Sequence, residues 1–158
     1  MRGGRRGDGN SMIILRNFVI SDALSLQKIS YSDLSVEEIE SLICKWNEKQ
    51  VNEKYFEIFA ILFDEKIVGT ISLYQHSKDV ISIGPEIFEV YRQKGLAKEA
   101  MMLACSIAKE KGYKIVSQQI RTNNIASIAL HSSLGFETNG STYINDKGNQ
   151  VAIYLKYL

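Results

Sequence analysis

The sequence is poor in the residues that form covalent or metal cross-links. It has two cysteines, two histidines and one proline among 158 residues. Cys44 and Cys105 lie in apolar segments with helical spacing, so we expect both to be buried free thiols. His76 and His131 lie far from each other and from the cysteines, and no pair has the spacing of metal ligands. The sequence therefore predicts no metal site.

Long apolar runs and an excess of charge of either sign are also missing. No apolar run approaches the ~20 residues that a membrane-spanning helix needs. The 19 basic and 18 acidic side chains leave a formal net charge of +1. This balance argues against electrostatic binding of nucleic acid and against a polybasic membrane-surface protein. We therefore expect a cytoplasmic protein with no nucleic-acid partner and no membrane association.

The N-terminal segment 1–11, MRGGRRGDGNS, has almost no apolar side chains. It lacks the apolar core that a signal peptide requires. We interpret it as a disordered leader or a cloning remnant, with Met12 as the natural start, and a basic binding arm is the alternative. We expect residues 12–158 to form one domain. Hydrophobic residues make up 45% of the sequence, which is enough for a core.

Hydrophobic periodicity predicts an α/β domain (an α+β mixed sheet) with the element order β-α-α-β-β-β-α-β-α-β-β. Strands are expected near residues 12–18, 55–63, 66–74, 80–88, 114–121, 141–144 and 151–157, and helices near 23–29, 35–46, 96–111 and 124–134. Ser21 and Asp22 should cap the first helix, and Ser35 with Glu38 should form a capping box at the second. The elements together predict a mixed sheet flanked by helices.

A short segment joins the fourth predicted strand to the long third helix and carries a local concentration of basic and small residues. It reads Arg92, Gln93, Lys94, Gly95, Leu96, Ala97, Lys98. A helix start exposes about four unpaired N–H groups and the positive end of the helix dipole, where phosphate oxygens bind. The small residues would let a pyrophosphate approach the main chain. A plain turn with solvated basic residues is the alternative, and neither a Walker nor a Rossmann pattern is present.

Pro85, the single proline, lies inside the strand that precedes this turn. Proline cannot donate to a sheet ladder, so it predicts a bulge or an unpaired edge. A bulge would separate this strand from its neighbour. Main-chain groups near Glu86, Ile87 and Phe88 would then be free to bind the amides of a ligand. A harmless edge proline is the alternative.

Asn124, Ser127 and His131 share one face of the last predicted helix, at positions i, i+3 and i+7. A capping asparagine and a satisfied helix histidine would explain them as well. However, Arg92 to Ala97 resembles the acyl-CoA motif of the GNAT N-acetyltransferase family, Arg/Gln-x-x-Gly-x-Gly/Ala. Residues 124–136 resemble the later motif of that family, Asn-x-x-Ser/Ala-x-x-x-Tyr/His followed by Leu-Gly-Phe. The resemblance covers residues 12–158.

The resemblance implies the acyl-CoA N-acyltransferase fold and transfer of acetyl from acetyl-CoA directly to an amine, without an acyl-enzyme or a metal. The amine would belong to a small molecule or a protein N-terminus, and a homodimer is compatible because dimers are common among similar proteins. His131 would protonate the leaving thiolate, in the place of the usual tyrosine. The residues implied to bind the cofactor are Ile87, Phe88, Arg92, Gln93, Lys94, Gly95, Leu96, Ala97, Lys98, Asn124 and Ser127.

The sequence departs from the family pattern at the catalytic base. Gln119 stands five residues before Asn124, where many relatives carry a glutamate, and Ile81 occupies the strand position that other relatives use. Glu86 is the nearest remaining carboxylate and is the predicted base. A water chain ending at a main-chain carbonyl, or an amine that arrives neutral, would serve instead. A CoA-binding module without catalysis and a nucleotide-phosphate enzyme are the competing functions.

The acceptor is expected to bind near the first two helices and the last hairpin. Tyr31, Asp33, Tyr74 and Tyr143 are the candidate lining residues, although ordinary surface residues would explain each of them. The identity of the acceptor stays open at the level of the sequence.

Overall fold

The structure, a computed structural model, describes residues 5–6 and 13–158. The strands in this part of the chain are β1 (Arg5–Arg6), β2 (Ile13–Asn17), β3 (Gln50–Val51), β4 (Lys54–Phe63), β5 (Lys66–Gln75), β6 (Val80–Ile87), β7 (Ile115–Arg121), β8 (Thr142–Ile144) and β9 (Gln150–Tyr157). The helices are α1 (Ala23–Ile29), α2 (Val36–Trp46), α3 (Leu96–Glu110) and α4 (Ile125–Ser133), and 3₁₀ turns lie at Ile20–Asp22 and Glu89–Tyr91. Arg5–Arg6 belong to the predicted leader, whose other residues lie outside the described part.

The strands form one mixed sheet in the order β1-β2-β4-β5-β6-β7-β9-β8, and β3 pairs with β4 beside this path. Neighbouring strands are antiparallel except β6 and β7, which are parallel and are joined by the crossover helix α3. One apolar core lies between the sheet and α3, with α4 at its border, and a second lies under α1 and α2. The predicted fold class is confirmed. In the described residues, the short strands β1 and β3 and the two 3₁₀ turns were not predicted.

Local sequence signals explain several of these elements. The turn between β4 and β5 consists of Asp64 and Glu65, both with positive φ, which suits the twist of a two-residue hairpin. The predicted capping box of α2 is confirmed. The Glu38 N–H donates to Ser35 Oγ at 3.0 Å, and the Ser35 N–H donates to Glu38 Oε1 at 2.9 Å.

The predicted side-chain cap of α1 is wrong. The Asp22 carboxylate instead accepts from the Arg16 guanidinium at 2.8 and 3.0 Å and from the Val19 N–H at 2.8 Å. Both side chains are buried, so the pair ties the start of α1 to strand β2. Because the carboxylate is engaged with the strand, it does not cap the helix.

The two cysteines differ in exposure. Cys105, on the inner face of α3, is buried in the core, as predicted. Cys44 is exposed, so the expectation of two buried thiols is wrong for this residue. The apolar face of α2 centres on Ile39 and Ile43, and the next position along the helix points about 100° away from it.

Strands β6 and β7 are paired only at their first residues, Val80 with Ile115 and Ile81 with Val116. Beyond these pairs the strands diverge and leave a wedge-shaped opening. Pro85 borders this opening without a bulge, because its register with Ile71 of β5 is continuous. The bulge lies instead between β4 and β5, at Ile61 and Leu62. The edge interpretation of the proline therefore holds and the bulge interpretation is wrong.

The orientation of the β6 main chain explains why proline is tolerated at residue 85. Ile83 directs both its N–H and its C=O toward the β7 side, where they bond to the Gln118 side chain. Main-chain direction repeats every second residue in a strand, so Pro85 and Ile87 point the same way. A missing N–H at residue 85 therefore costs the ladder between β5 and β6 nothing.

We expect Gly69→Ala to destabilise the fold by about 1–3 kcal/mol, as overpacking does. A Cβ at Gly69 would lie 2.1 Å from the carbonyl oxygen of Glu86 and 3.0 Å from Ile87 Cα, so the main chain of β6 would have to move. Gly84→Ala is the matched control, because its nearest contact is the rotatable Ser72 Oγ at 3.1 Å. Urea denaturation measures both variants, and equal losses of unfolding free energy would contradict this account of the close approach.

Candidate active site

A cleft of about 890 Å³ runs from the start of α3 into the opening between β6 and β7. It brings together most of the predicted site residues. Those that line it are Ile87, Arg92, Gln93, Lys94, Gly95, Leu96, Ala97, Lys98, Asn124, Ser127 and His131. Glu86 and Phe88 are not among the lining residues. Residues that lie far apart in the sequence therefore share one site.

The start of α3 is built to leave main-chain N–H groups available. Gly95, the N-cap residue, has φ 74 and no side chain, and no side-chain bond caps the helix there. Gln93 also has a left-handed φ of 64. The Arg92 Nε–H donates to the Ile87 carbonyl oxygen at 2.8 Å and so ties this turn to the end of β6. An uncapped first turn on a 15-residue helix can bind an anion.

Phe88 does not offer its N–H group to the cleft. Its N–H donates to the Val68 carbonyl oxygen at 2.9 Å, and its side chain is 3% exposed in the core beneath α1 and α2. The predicted main-chain contribution of Phe88 is therefore wrong, because its N–H points to β5. Ile87 remains a predicted cofactor-binding residue, since it lines the cleft.

Glu86 lies on the face of the sheet that carries α1 and α2, and its side chain is exposed. Burial raises the pKa of the Tyr31 hydroxyl, and the nearby Glu86 carboxylate raises it further. Tyr31 packs against the core beneath α1 and α2, so both groups belong to the face where the acceptor was expected. Glu86 remains a predicted base on this face, outside the main cleft.

Gln118 was not singled out from the sequence, although it is central to the site. Its Oε1 accepts from the Ile83 N–H at 2.9 Å, and its Nε2 donates to the Ile83 carbonyl oxygen at 2.5 Å and to His131 Nε2 at 3.1 Å. The side chain is 6% exposed. The available signal was its position between Val116 and Ile120 on the buried face of a strand, where a polar residue requires partners.

His131 lines the cleft and is 4% exposed. Its Nδ1 lies 2.8 Å from the Ser127 carbonyl oxygen, which can only accept, so Nδ1 carries the hydrogen. Burial lowers the pKa of the imidazole, although the Ser127 carbonyl opposes this. The predicted acid role needs the imidazolium form, whereas this environment favours the neutral one.

Asn124 caps α4, since its Oδ1 accepts from the Ser127 N–H at 3.1 Å. The cap occupies the carbonyl oxygen of the side chain and leaves the amide nitrogen for another partner. The capping explanation is thus confirmed, and it is compatible with a second role toward a ligand.

Gln119, at the usual glutamate position, belongs to a hydrogen-bonded chain beside the β8–β9 hairpin. Its Nε2 donates to Tyr143 Oη at 2.7 Å, and its Oε1 accepts from Asn145 Nδ2 at 2.8 Å. Gln119 lines both the main cleft and a polar groove of about 320 Å³ along this hairpin. Tyr74 lines the main cleft, whereas Tyr31, Asp33 and Tyr143 do not. The amide therefore anchors the hairpin at the border of the cleft.

Two further observations bear on chemistry and location. Within residues 13–158, no three His, Cys, Asp or Glu side chains are grouped closely enough to hold a metal ion. In the same part of the chain, none of the helices combines the length and the apolar character that crossing a bilayer requires.

Comparison with known proteins agrees with the geometry. Over 99 residues the chain is 32% identical to the SPbeta prophage-derived uncharacterized N-acetyltransferase YokL of Bacillus subtilis (strain 168), covering 61% of this chain and 56% of that protein. The chain thus matches just over half the length of this curated relative.

Two solved structures share the fold. One is the ribosomal L7/L12 α-N-protein acetyltransferase RimL, with a TM-score of 0.80, 16% identity, and coverage of 100% of this chain and 96% of that chain. The other is Mycobacterium smegmatis RimJ in complex with CoA-disulfide, with a TM-score of 0.79, 15% identity, and coverage of 99% and 86%. Likeness at these identities shows the fold.

The family assignment comes from a match that spans both motifs. Residues 13–137 match the family model for the acetyltransferase (GNAT) domain. This range contains the uncapped start of α3, the divergent strands β6 and β7, and the helix that carries Asn124 and His131. The chain therefore belongs to the GNAT acetyltransferase domain family.

Proposed function

We propose that this protein is an N-acetyltransferase that moves acetyl from acetyl-CoA directly to an amine. The observation that carries the proposal is the continuity of the cleft, from the uncapped start of α3 to the opening between β6 and β7. A ligand with phosphates at one end and a long arm ending in a thioester suits this shape. The helix start would bind the phosphates, and the divergent strands would receive the arm.

In this proposal the CoA pyrophosphate lies on the main chain of residues 93–98, with Arg92, Lys94 and Lys98 adding positive charge. The pantetheine arm runs along β6, where the Pro85 carbonyl and the Ile87 N–H face the opening, while the Ile87 carbonyl accepts from Arg92 Nε. An extended arm with amides can pair with such an edge as an added strand would. Asn124 lines the same cleft at the start of α4, and its amide nitrogen, which the cap leaves available, is proposed to offer the arm a donor.

The proposed reaction is direct. The amine nitrogen attacks the thioester carbonyl carbon, the C–S bond breaks and the sulfur leaves as thiolate, while the nitrogen loses a proton. Holding the two reactants together supplies much of the acceleration. Glu86, on the same acceptor face as Tyr31, is the proposed proton acceptor. His131 lies at the reacting end, and its protonation state decides whether it can act as an acid.

Both classes of acceptor remain in the proposal. RimL, which shares the fold, is described as acting on the N-terminus of a ribosomal protein, so a protein N-terminus is one class. A small-molecule amine is the other, and Gln119 and the polar groove along the β8–β9 hairpin lie where either would approach. The competing function is a CoA-binding module without catalysis, which the neutral amide of Gln119 at the usual glutamate position favours.

We expect Gly95→Glu to weaken CoA binding at least tenfold, about 1.4 kcal/mol, because it places a negative charge where the pyrophosphate should lie. Isothermal titration calorimetry with CoA measures the effect. Gly112→Glu, at the other end of α3, is the matched control, since both glycines have positive φ and open space around a Cβ. A folded Gly95→Glu variant that binds CoA as the wild type does would refute the pyrophosphate assignment.

We expect Glu86→Gln to lower kcat/KM for the amine by about 10²–10⁴-fold, the usual worth of general base catalysis. The affinity for CoA should be unchanged, because Glu86 lies outside the main cleft. Thiol release over a panel of small amines and N-terminal peptides measures the rate, with Glu89→Gln as the control. If wild-type protein binds CoA and acetylates no amine in the panel, the binding-module alternative is supported.

We expect no acetyl-cysteine when the protein is mixed with acetyl-CoA alone. Burial raises the pKa of the Cys105 thiol to about 11, although Lys156 opposes this, so the thiol is protonated near neutral pH. Neither Cys105 nor Cys44 lines the main cleft. Intact-protein mass spectrometry checks this expectation, and an acetylated cysteine whose acetyl group passes to the amine would contradict direct transfer.

A further inference from the structure

The Gln118 side chain takes the place of a missing strand neighbour of β6. Where β7 turns away, the Ile83 N–H donates to Gln118 Oε1 and the Ile83 carbonyl accepts from Gln118 Nε2, at 2.9 and 2.5 Å. If the amide were flipped, its NH₂ group would face the Ile83 N–H and its oxygen would face the Ile83 carbonyl. These two bonds therefore determine which end of the amide is nitrogen. The second hydrogen of Nε2 is therefore directed to His131 Nε2, 3.1 Å away.

Both ring nitrogens of His131 form hydrogen bonds. Nδ1–H donates to the Ser127 carbonyl oxygen, and Nε2 accepts from the Gln118 amide. A proton on Nε2 would face the amide hydrogen, which is an opposition of two donors. Ser127 Oγ also lies 3.3 Å from Nδ1, and the Phe136 ring meets the imidazole edge-on at a centroid distance of 4.9 Å. None of these three neighbours, from α4, β7 and the segment after α4, carries a charge that would stabilise an imidazolium.

We propose that Gln118 is the positioning residue of this site, and that it keeps His131 neutral with Nε2 as an acceptor, so that His131 does not protonate the departing CoA thiolate. This inference rests on the proposed acetyl transfer. The N–C bond forms as the C–S bond breaks, and the electron pair of that bond leaves on sulfur. The proton released by the amine then balances the proton that the thiolate takes up from water.

The first test is the tautomer of His131 in the wild-type protein, read from ¹⁵N–¹H spectra of the imidazole rings. We expect the hydrogen on Nδ1 of His131 at neutral pH. His76 is an internal control, because Ser82 Oγ donates to the Ser117 carbonyl and so must accept from His76 Nε2. The two histidines should therefore show opposite tautomers. A hydrogen on His131 Nε2 at neutral pH would overturn the inference.

The second test compares two charge changes on neighbouring residues of β7. Gln118→Glu replaces the donor that faces His131 by a carboxylate, so the NMR titration midpoint of His131 should rise by about one pH unit or more. Gln119→Glu adds the same charge on the opposite face and should move the midpoint less. Equal shifts would mean that the contact with Gln118 has no special role. If Gln118→Glu does not fold, the tautomer of His131 in the wild-type protein still tests the inference.

Activity provides the third test. His131→Gln puts an amide oxygen where Nε2 accepts from Gln118 but offers no titratable acid. The inference expects kcat to fall by less than about tenfold, whereas the loss of a general acid is typically worth ~10²–10⁴-fold. A hundredfold loss with the wild-type affinity for CoA would restore the acid role. If no amine is acetylated by the wild type, the proposed function fails, and the spectra still judge the role of Gln118.

Discussion

The site depends on the early separation of two parallel strands. β6 and β7 share only two residue pairs, so half of the main chain of β6 would lack partners on one side. Buried main-chain groups need such partners, and each unpaired group would cost stability. Gln118 supplies them at Ile83, where the opening begins, and Pro85 removes the need for one at the next equivalent position. Arg92 Nε donates to the Ile87 carbonyl at the end of the strand, so side chains replace part of the missing strand neighbour.

The rest of the architecture keeps this opening in place. α3 crosses from β6 to β7 and packs on one face, which sets the two strands parallel and brings its own uncapped start to the mouth of the cleft. On the other face, the buried pair of Arg16 and Asp22 holds α1 against β2. The two faces therefore have separate tasks, because the cofactor is proposed to enter beside α3 and the acceptor to arrive on the side of α1 and α2.

The sequence predicted the elements well because their signals are local. The Ser35–Glu38 capping box, the Asp64-Glu65 turn and the periodicity of α3 each depend on neighbours within a few residues, and the structure bears them out. The errors share a physical cause. Asp22 was expected to cap a helix but pairs with Arg16, and Phe88 was expected to serve the cleft but donates to Val68. In both cases the competing partner belongs to another element of the fold, since Arg16 lies on β2 and Val68 lies on β5.

By itself, the sequence determined the order of the elements, the turn of basic and small residues before α3 and the helix that carries Asn124 and His131, because short-range spacing encodes all three. Only the tertiary structure decided the chemical state of the site. The Ser127 carbonyl accepts from His131 Nδ1 within one helix, but we infer that the Gln118 amide keeps Nε2 an acceptor. The orientation of that amide depends in turn on Ile83, a residue 35 positions earlier in the chain. No local sequence pattern predicts these bonds, because they form only where β6 and β7 pair at their first residues and then diverge.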